Sequence, residues 1–136
     1  ARRADLFQTS FAKQISMIEK GKLKYLKHGN LNSIRTFIDI DDAMEAYWVA
    51  ATRGKIGEIY NIGGNKVISV KNFLKNLISL SKKKIKTKID HKLLRPKDIN
   101  IQLVNSSKFF KHTNWKAKVK FNKSVQNLLN ECRKIY

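Results

Sequence analysis

Arg35 opens an apolar, strand-like run directly after a polar loop, residues 28–33, that contains Gly29 and Asn30. A guanidinium at the head of a strand, beside loop backbone N–H groups, can hold an anion through charge-assisted hydrogen bonds. It can equally serve in a surface ion pair, and spacing alone leaves both readings open. Arg95 precedes Pro96, the sole proline, which restricts the backbone there to extended conformations and lowers the entropy cost of fixing a guanidinium on a ligand. A pair with nearby Asp98 is the alternative. Asp39, Asp41 and Asp42 are of the type that ligates magnesium. However, strand alternation puts Asp39 and Asp41 on one side with Ile40 opposite, and Asp42 is accounted for as a helix cap, so the three read as structural. His28, His91 and His112 lie far apart, without metal-ligand or triad spacing. The segment "GGN" (63–65) does not match GxGxxG and reads as a turn.

The charge asks for an anionic partner or a bland origin. Lys and Arg total 29 against 10 Asp and Glu, for a formal charge of +19, but only six of the basic residues are Arg. The lysines fill polar positions along the whole chain, as a general lysine-for-polar bias would leave them. Even the dense "KKKIKTK" (82–88) alternates around Ile85 and Thr87, like a solvated strand face. The aromatic residues occupy core-phase positions and do not line up between basic ones, which argues against nucleic acid as the partner. A basic module that binds RNA or another polyanion survives on charge alone. Cys132 is the only cysteine, placed as a buried thiol on the last helix, and this usage suits a reducing cytoplasm. No apolar run is long enough to cross a membrane and no signal pattern opens the chain, so a soluble protein is expected. The first residue is Ala, and an amphipathic pattern begins almost at once, as in a chain cut from something longer.

The elements that would position these residues follow from periodicity. Phe7, Phe11, Ile15 and Ile18 mark one helix face that stops at Gly21, and "LKYL" (23–26) reads as a short strand. Residues 34–40 alternate, with Arg35, Phe37 and Asp39 on one side. Asp42 with Glu45 suggests a capping box for a helix striped by Met44, Tyr47, Trp48 and Ala51 and closed by Gly54. "EIYNI" (58–62) reads as the next strand, so strand, helix and strand would form a βαβ unit with parallel strands and a right-handed crossover. Ser69 caps a helix carrying Val70, Phe73, Leu74, Leu77 and Ile78. A strand near 85–89, a short helix at 107–111 and a last helix with Val125, Leu128, Leu129, Cys132 and Ile135 on one face complete the chain. Residues 1–136 read as a single mixed α/β domain.

In their order, "GNLNSIRTFIDIDDAMEAYW", "EIYNIGG", "LLRPKDIN" and "NWKAKVKF" resemble the C-terminal, substrate-binding part of the extended short-chain dehydrogenase/reductases that act on nucleotide sugars, most of all GDP-mannose 4,6-dehydratase. The resemblance implies the C-terminal domain of a longer NAD(P)-dependent enzyme whose Rossmann half is missing from this sequence. It implies that Arg35 and Arg95 clamp the nucleotide diphosphate, that Asn30 and Leu31 lie along the nucleotide, and that Lys13 contacts it from the first helix. The family usually has a basic pair there, whereas Gln14 follows Lys13. Asp98 and Asn100 stand where the dehydratase motif tends to have Glu and Asp, and Asn114 and Ala117 replace Gly and Pro around Trp115.

The implied reaction of the complete enzyme takes GDP-mannose to its 4-keto-6-deoxy product, with NADP or NAD bound by the missing half and a homo-oligomer as the assembly. The departures leave room for a 4-keto-sugar reductase or an epimerase of the same family. The family's YxxxK pair and glycine-rich loop are absent: Tyr25, Tyr47 and Tyr60 are followed four residues later by Gly29, Ala51 and Gly64. The fragment alone is therefore expected to be inactive.

Overall fold

In the computed structural model, which describes residues 6–136, the chain runs through ten regular elements. They are α1 (Phe7–Glu19), β1 (Leu26–His28), β2 (Ile34–Phe37), α2 (Ile40–Arg53), β3 (Lys66–Ser69), α3 (Val70–Ser79), β4 (Thr87–Ile89), β5 (Ile101–Gln102), α4 (Ser107–Thr113) and α5 (Phe121–Ile135). A single 3-10 turn, His91–Leu93, lies between β4 and β5. The strands form two small sheets. One is the parallel pair of β1 and β4, and the other has β2 in the middle, antiparallel to β3 and parallel to β5.

The helices cover these sheets because their apolar stripes have nowhere else to go. α1 buries Phe11, Ala12, Ile15 and Ile18, the stripe legible in its sequence, and Gly21 then takes a left-handed turn at φ 75° that a side chain resists. Ile15 of α1, Leu26 of β1, Leu77 of α3 and Leu129 of α5 meet in the main core, all fully shielded from solvent. Phe37 of β2 stacks on Phe73 of α3, ring centroids 5.0 Å apart, so the middle strand is tied to the same core. Arg133 of α5 closes the far side. It holds Glu19 of α1 through two hydrogen bonds of 2.7 and 2.8 Å and reaches the Leu80 carbonyl after α3 at 3.1 Å. The Arg133 hydrogen bonds hold the Glu19 carboxyl below its usual range, and the pair raises the guanidinium in turn. A second, smaller core joins Ala46 and Val49 of α2 to Phe109 of α4 and Trp115.

The aspartates have specific structural work. Asp39, and not Asp42, is the N-cap of α2: it accepts the Asp41 N–H at 2.9 Å and also takes a short hydrogen bond from the Ser124 hydroxyl of α5. Asp42 is buried in the first turn, where the helix dipole favours a negative charge, and accepts the backbone N–H groups of Lys118 (3.0 and 3.1 Å) and Val119 (2.9 Å). It therefore clamps the segment before α5 onto α2. Asn114, where the family pattern has Gly, adopts φ 56° and ends α4 in the left-handed region that Asn tolerates better than most residues.

Four further expectations are corrected. The first strand is at 26–28 and not 23–26, because Leu26 is the residue buried against α1. β2 ends at Phe37, since Asp39 turns the chain into α2 earlier than the alternation suggested. The buried face of α2 is Asp42, Ala46 and Val49, whereas Met44, Tyr47 and Trp48 are exposed by 52%, 66% and 71%. Residues 58–62 form no strand, so the βαβ unit expected over β2, α2 and this segment is not formed. The parallel partner of β2 is β5, far later in the chain.

Asp42→Ala would leave two backbone N–H groups without their acceptor. We expect it to destabilise the protein by at least about 2 kcal/mol, because each unsatisfied donor costs about 1–3 kcal/mol, towards the low end where it is part-buried. An unchanged midpoint in urea denaturation would contradict the clamp.

Candidate functional site

Ser33, 2% exposed, precedes β2, and its carbonyl accepts the Val70 N–H at 2.9 Å. The next residue, Ile34, donates its N–H to the Asn100 carbonyl at 2.7 Å, which fixes the 94–100 segment beside the head of β2. Arg35 thus emerges at a point where the 29–33 loop, β2 and the 94–100 segment converge. Its Nη1 donates to the Ile34 carbonyl at 2.9 Å, and its Nη2 lies 3.7 Å from Asp98 Oδ1. That second distance is beyond a normal hydrogen bond, so the ion pair is loose. The guanidinium is oriented by Asp98 and still about one-fifth exposed.

Asn30 is the centre of the polar network. Its Nδ2 donates to Asp98 Oδ2 at 2.8 Å and to Ser33 Oγ at 3.3 Å, and its Oδ1 accepts the Asn32 N–H at 2.9 Å. Ser33 Oγ adds a hydrogen bond to Asp98 Oδ2 at 3.1 Å. Asp98 thus sits in a web of donors. The Asn30 amide is the main reason its carboxyl lies below the ordinary value of 3.8, with Ser33 and the charge of Arg35 adding to it against the opposing effect of burial.

Gly29 allows the two loops to meet. A Cβ at this position would lie 2.5 Å from the Leu93 carbonyl oxygen, so the 29–33 loop touches the 3-10 turn backbone to backbone. Arg95 follows that turn by two residues and is exposed. Among the described residues it makes no ion pair, and Asp98 turns to Arg35 instead. Leu31 packs against the main core and anchors α3 by accepting the Lys71 N–H at 2.9 Å.

The structure therefore brings Arg35, Asn30 and Leu31 together on one stretch of backbone and sets the segment bearing Arg95 alongside. Lys13 is placed elsewhere: its ammonium lies 4.4 Å from the centre of the Tyr136 ring, at the end of the chain. Its neighbour Gln14 is bonded to both the N–H and the carbonyl of Lys27, at 2.7 and 3.0 Å. Sequence reasoning missed Ser33 and the loop-to-loop contact of Gly29. Ser33 carried only the weak signal of a small hydroxyl before a strand, and nothing in the sequence pairs residue 29 with residue 93.

The glycines of "GGN" serve packing. Gly63 abuts Val104 and donates its N–H to Ser106 Oγ at 2.8 Å, and Gly64 presses on the Phe37 carbonyl. That pair is thus occupied in holding the end of β2.

With this geometry in hand, comparison with known proteins is decisive for the family. The family model described as GDP-mannose 4,6 dehydratase matches residues 1–128. The chain belongs to that family. A dTDP-D-glucose 4,6-dehydratase of Mus musculus is 30% identical over 127 residues, covering 90% of this chain and 35% of the mouse protein. The GDP-6-deoxy-D-mannose reductase of Pseudomonas aeruginosa is 20% identical over 123 residues, covering 90% of this chain and 40% of that enzyme. Among solved structures, RMD from Pseudomonas aeruginosa complexed with NADPH superposes with a TM-score of 0.90 at 18% identity, over 99% of this chain and 45% of that one. The fold is thus the mixed α/β architecture of the C-terminal portion of extended short-chain dehydrogenase/reductases. The chain spans well under half the length of the relatives it matches in this family of nucleotide-sugar dehydratases, reductases and epimerases.

The Asp98 network gives a pH signature. A carboxyl whose folded pKa is depressed contributes stability that is present above its unfolded value and is lost as pH falls through the folded one. The stability gap between wild type and Asp98→Asn should therefore be fully open at neutral pH and close as pH drops below 3.8. Parallel denaturation curves across that range would measure it. A gap that stays constant with pH would contradict the network.

Proposed function

We propose that this chain is the substrate-gripping portion, residues 1–136, of a longer NAD(P)-dependent enzyme that converts GDP-mannose to GDP-4-keto-6-deoxymannose. The observation that carries this reading is Arg35: an arginine bonded to the Ile34 carbonyl at the head of β2, with the Asn30-bonded carboxylate of Asp98 3.7 Å away, in a chain of this family. A guanidinium fixed in this way and still partly open offers a planar fork to a diphosphate at little entropy cost. Arg95, on the adjoining segment, supplies the second contact, and Asn30 and Leu31 line the path of the nucleotide. Lys13 belongs to this set only if the ligand draws its ammonium from the Tyr136 ring.

A nicotinamide cofactor supplies hydride transfer in the complete enzyme. The cradle for that group belongs to the rest of the protein, since the glycine pair Gly63–Gly64 serves packing. This chain's own residues bind and orient the sugar nucleotide, and catalysis belongs to the rest of the protein. A cytoplasmic homo-oligomer is the assembly in keeping with that reading.

The similarity to a GDP-6-deoxy-D-mannose reductase favours a second reading in which the complete enzyme reduces a 4-keto-6-deoxy sugar nucleotide. Incubation of the complete protein with GDP-mannose decides between them. Formation of the 4-keto-6-deoxy product supports the dehydratase, and consumption of that compound with a reduced cofactor supports the reductase. A polyanion-binding role would show instead as affinity for RNA that falls steeply with salt and ignores the sugar nucleotide's base.

In the complete protein, Arg35→Ala and Arg95→Ala should each weaken GDP-sugar binding by at least about 1.5 kcal/mol, the scale of a charged hydrogen bond. Arg35→Lys should also lose affinity, because a point charge does not replace a planar fork. Calorimetry showing unchanged affinity for both alanine variants would overturn the diphosphate clamp.

A further inference from the structure

Both strands of the parallel pair β1 and β4 run toward the candidate site. β1 ends at His28, one residue before the Gly29 contact, and β4 ends at Ile89, from which the 3-10 turn His91–Leu93 leads to Arg95. Arg35 stands beyond the far end of the 29–33 loop. Whatever these strands carry on their open face is therefore laid out along one approach to that site.

What they carry is lysine. Residues 20–29 hold four lysines and residues 81–89 hold five, with no Asp or Glu in either stretch. Register decides how they stand. Lys27 is the direct cross-strand partner of Lys88, and Lys86, whose carbonyl accepts the Leu26 N–H at 2.8 Å, extends the row. All three are exposed, while Leu26, beside Lys27, turns into the main core. Gln14 holds Lys27 in place through its N–H and its carbonyl. A general preference for lysine at solvent positions accounts for each residue singly, but their sum is a face of one sign, and like charges directly opposite repel unless an anion sits between them. Little in the protein relieves that repulsion. Asp90 lies 3.7 Å from the Lys27 ammonium, beyond a normal hydrogen bond, and among the described residues Lys86 and Lys88 make no ion pair.

We propose that this lysine face is the capture surface for the sugar nucleotide: Lys27, Lys86 and Lys88 draw its diphosphate from solution toward Arg35 and Arg95, which then hold it. A compact dianion suits the face better than a nucleic-acid strand does. Such a strand asks for several stacking rings among the lysines, and residues 20–29 and 81–89 offer one, Tyr25. A one-sign field acts on arrival: it raises association rates about 10-fold or more at low salt and fades over a Debye length, about 8 Å at physiological ionic strength. Capture and grip are thus separate. The lysines set the association rate, and the oriented guanidiniums set dissociation. The inference rests on the reading that a sugar nucleotide binds at Arg35 and Arg95.

The test is stopped-flow binding of methylanthraniloyl-GDP to the complete protein, with the triple variant Lys27→Gln/Lys86→Gln/Lys88→Gln beside the wild type. The expected result is association slowed at least about 5-fold at low ionic strength, an unchanged dissociation rate, and a gap that closes in about 0.5 M salt. A matched variant, Lys111→Gln/Lys116→Gln/Lys120→Gln, loses the same charge on and after α4 and should associate within about twofold of the wild-type rate. Equal slowing in the two variants would overturn the proposal, because net charge alone would then explain it. Faster dissociation from the first variant would overturn it too, since the lysines would then be part of the grip. If the nucleotide does not bind the wild type at all, the proposed function fails and the capture role with it. Binding at the same rate in the wild type and the first variant rejects the capture role alone.

Discussion

A four-residue strand held on both edges sets the geometry of this molecule. β2 pairs with β3 on one side and β5 on the other, so it cannot slide by one residue without reversing which side chains face the main core. Phe37, stacked on Phe73, locks that choice. With the register fixed, Arg35 must point to the Phe37 side at the head of the strand, and Asp98 lies within reach because β5 pairs at Ile34 and Arg35. The long sequence separation between Arg35 and Asp98 is bridged by two residues of parallel ladder.

Much of this was legible in the sequence where a single element carried its own signal. α1, α3 and α5 announce their buried stripes, Ser69 its cap and Gly54 the end of α2, because helix periodicity and end chemistry are local. The family was readable for a different reason, the joint order of several short motifs. The failures share one physical cause. α2 has two apolar faces, and a sequence pattern cannot say which of them meets a core within the same stretch of chain. The segment 58–62 carries strand chemistry without a partner, and propensity does not supply one. Asp42 misled because a capping box and a buried acceptor for a distant segment use the same residue type at nearly the same position.

The charge illustrates how composition and site diverge. With a formal charge of +19 one would look for the functional surface where lysines are densest. The bonded network at the converging loops instead joins one arginine, one carboxylate and two small polar residues, an arrangement built for direction more than for potential. Elsewhere the acidic residues are distributed so that most tie two elements together: Glu19 to α5, Asp39 to Ser124, Asp42 to the strap before α5 and Glu45 to Lys118. Few carboxylates in a basic protein are thus used where geometry matters most.

The contact at Gly29 bears on how the site can move. Because the 29–33 loop rests on the carbonyl of Leu93 with no room for a methyl group, neither loop can swing inward past the other. Any side chain at residue 29 would therefore have to push the 3-10 turn, and the Pro96 segment behind it, away from the head of β2.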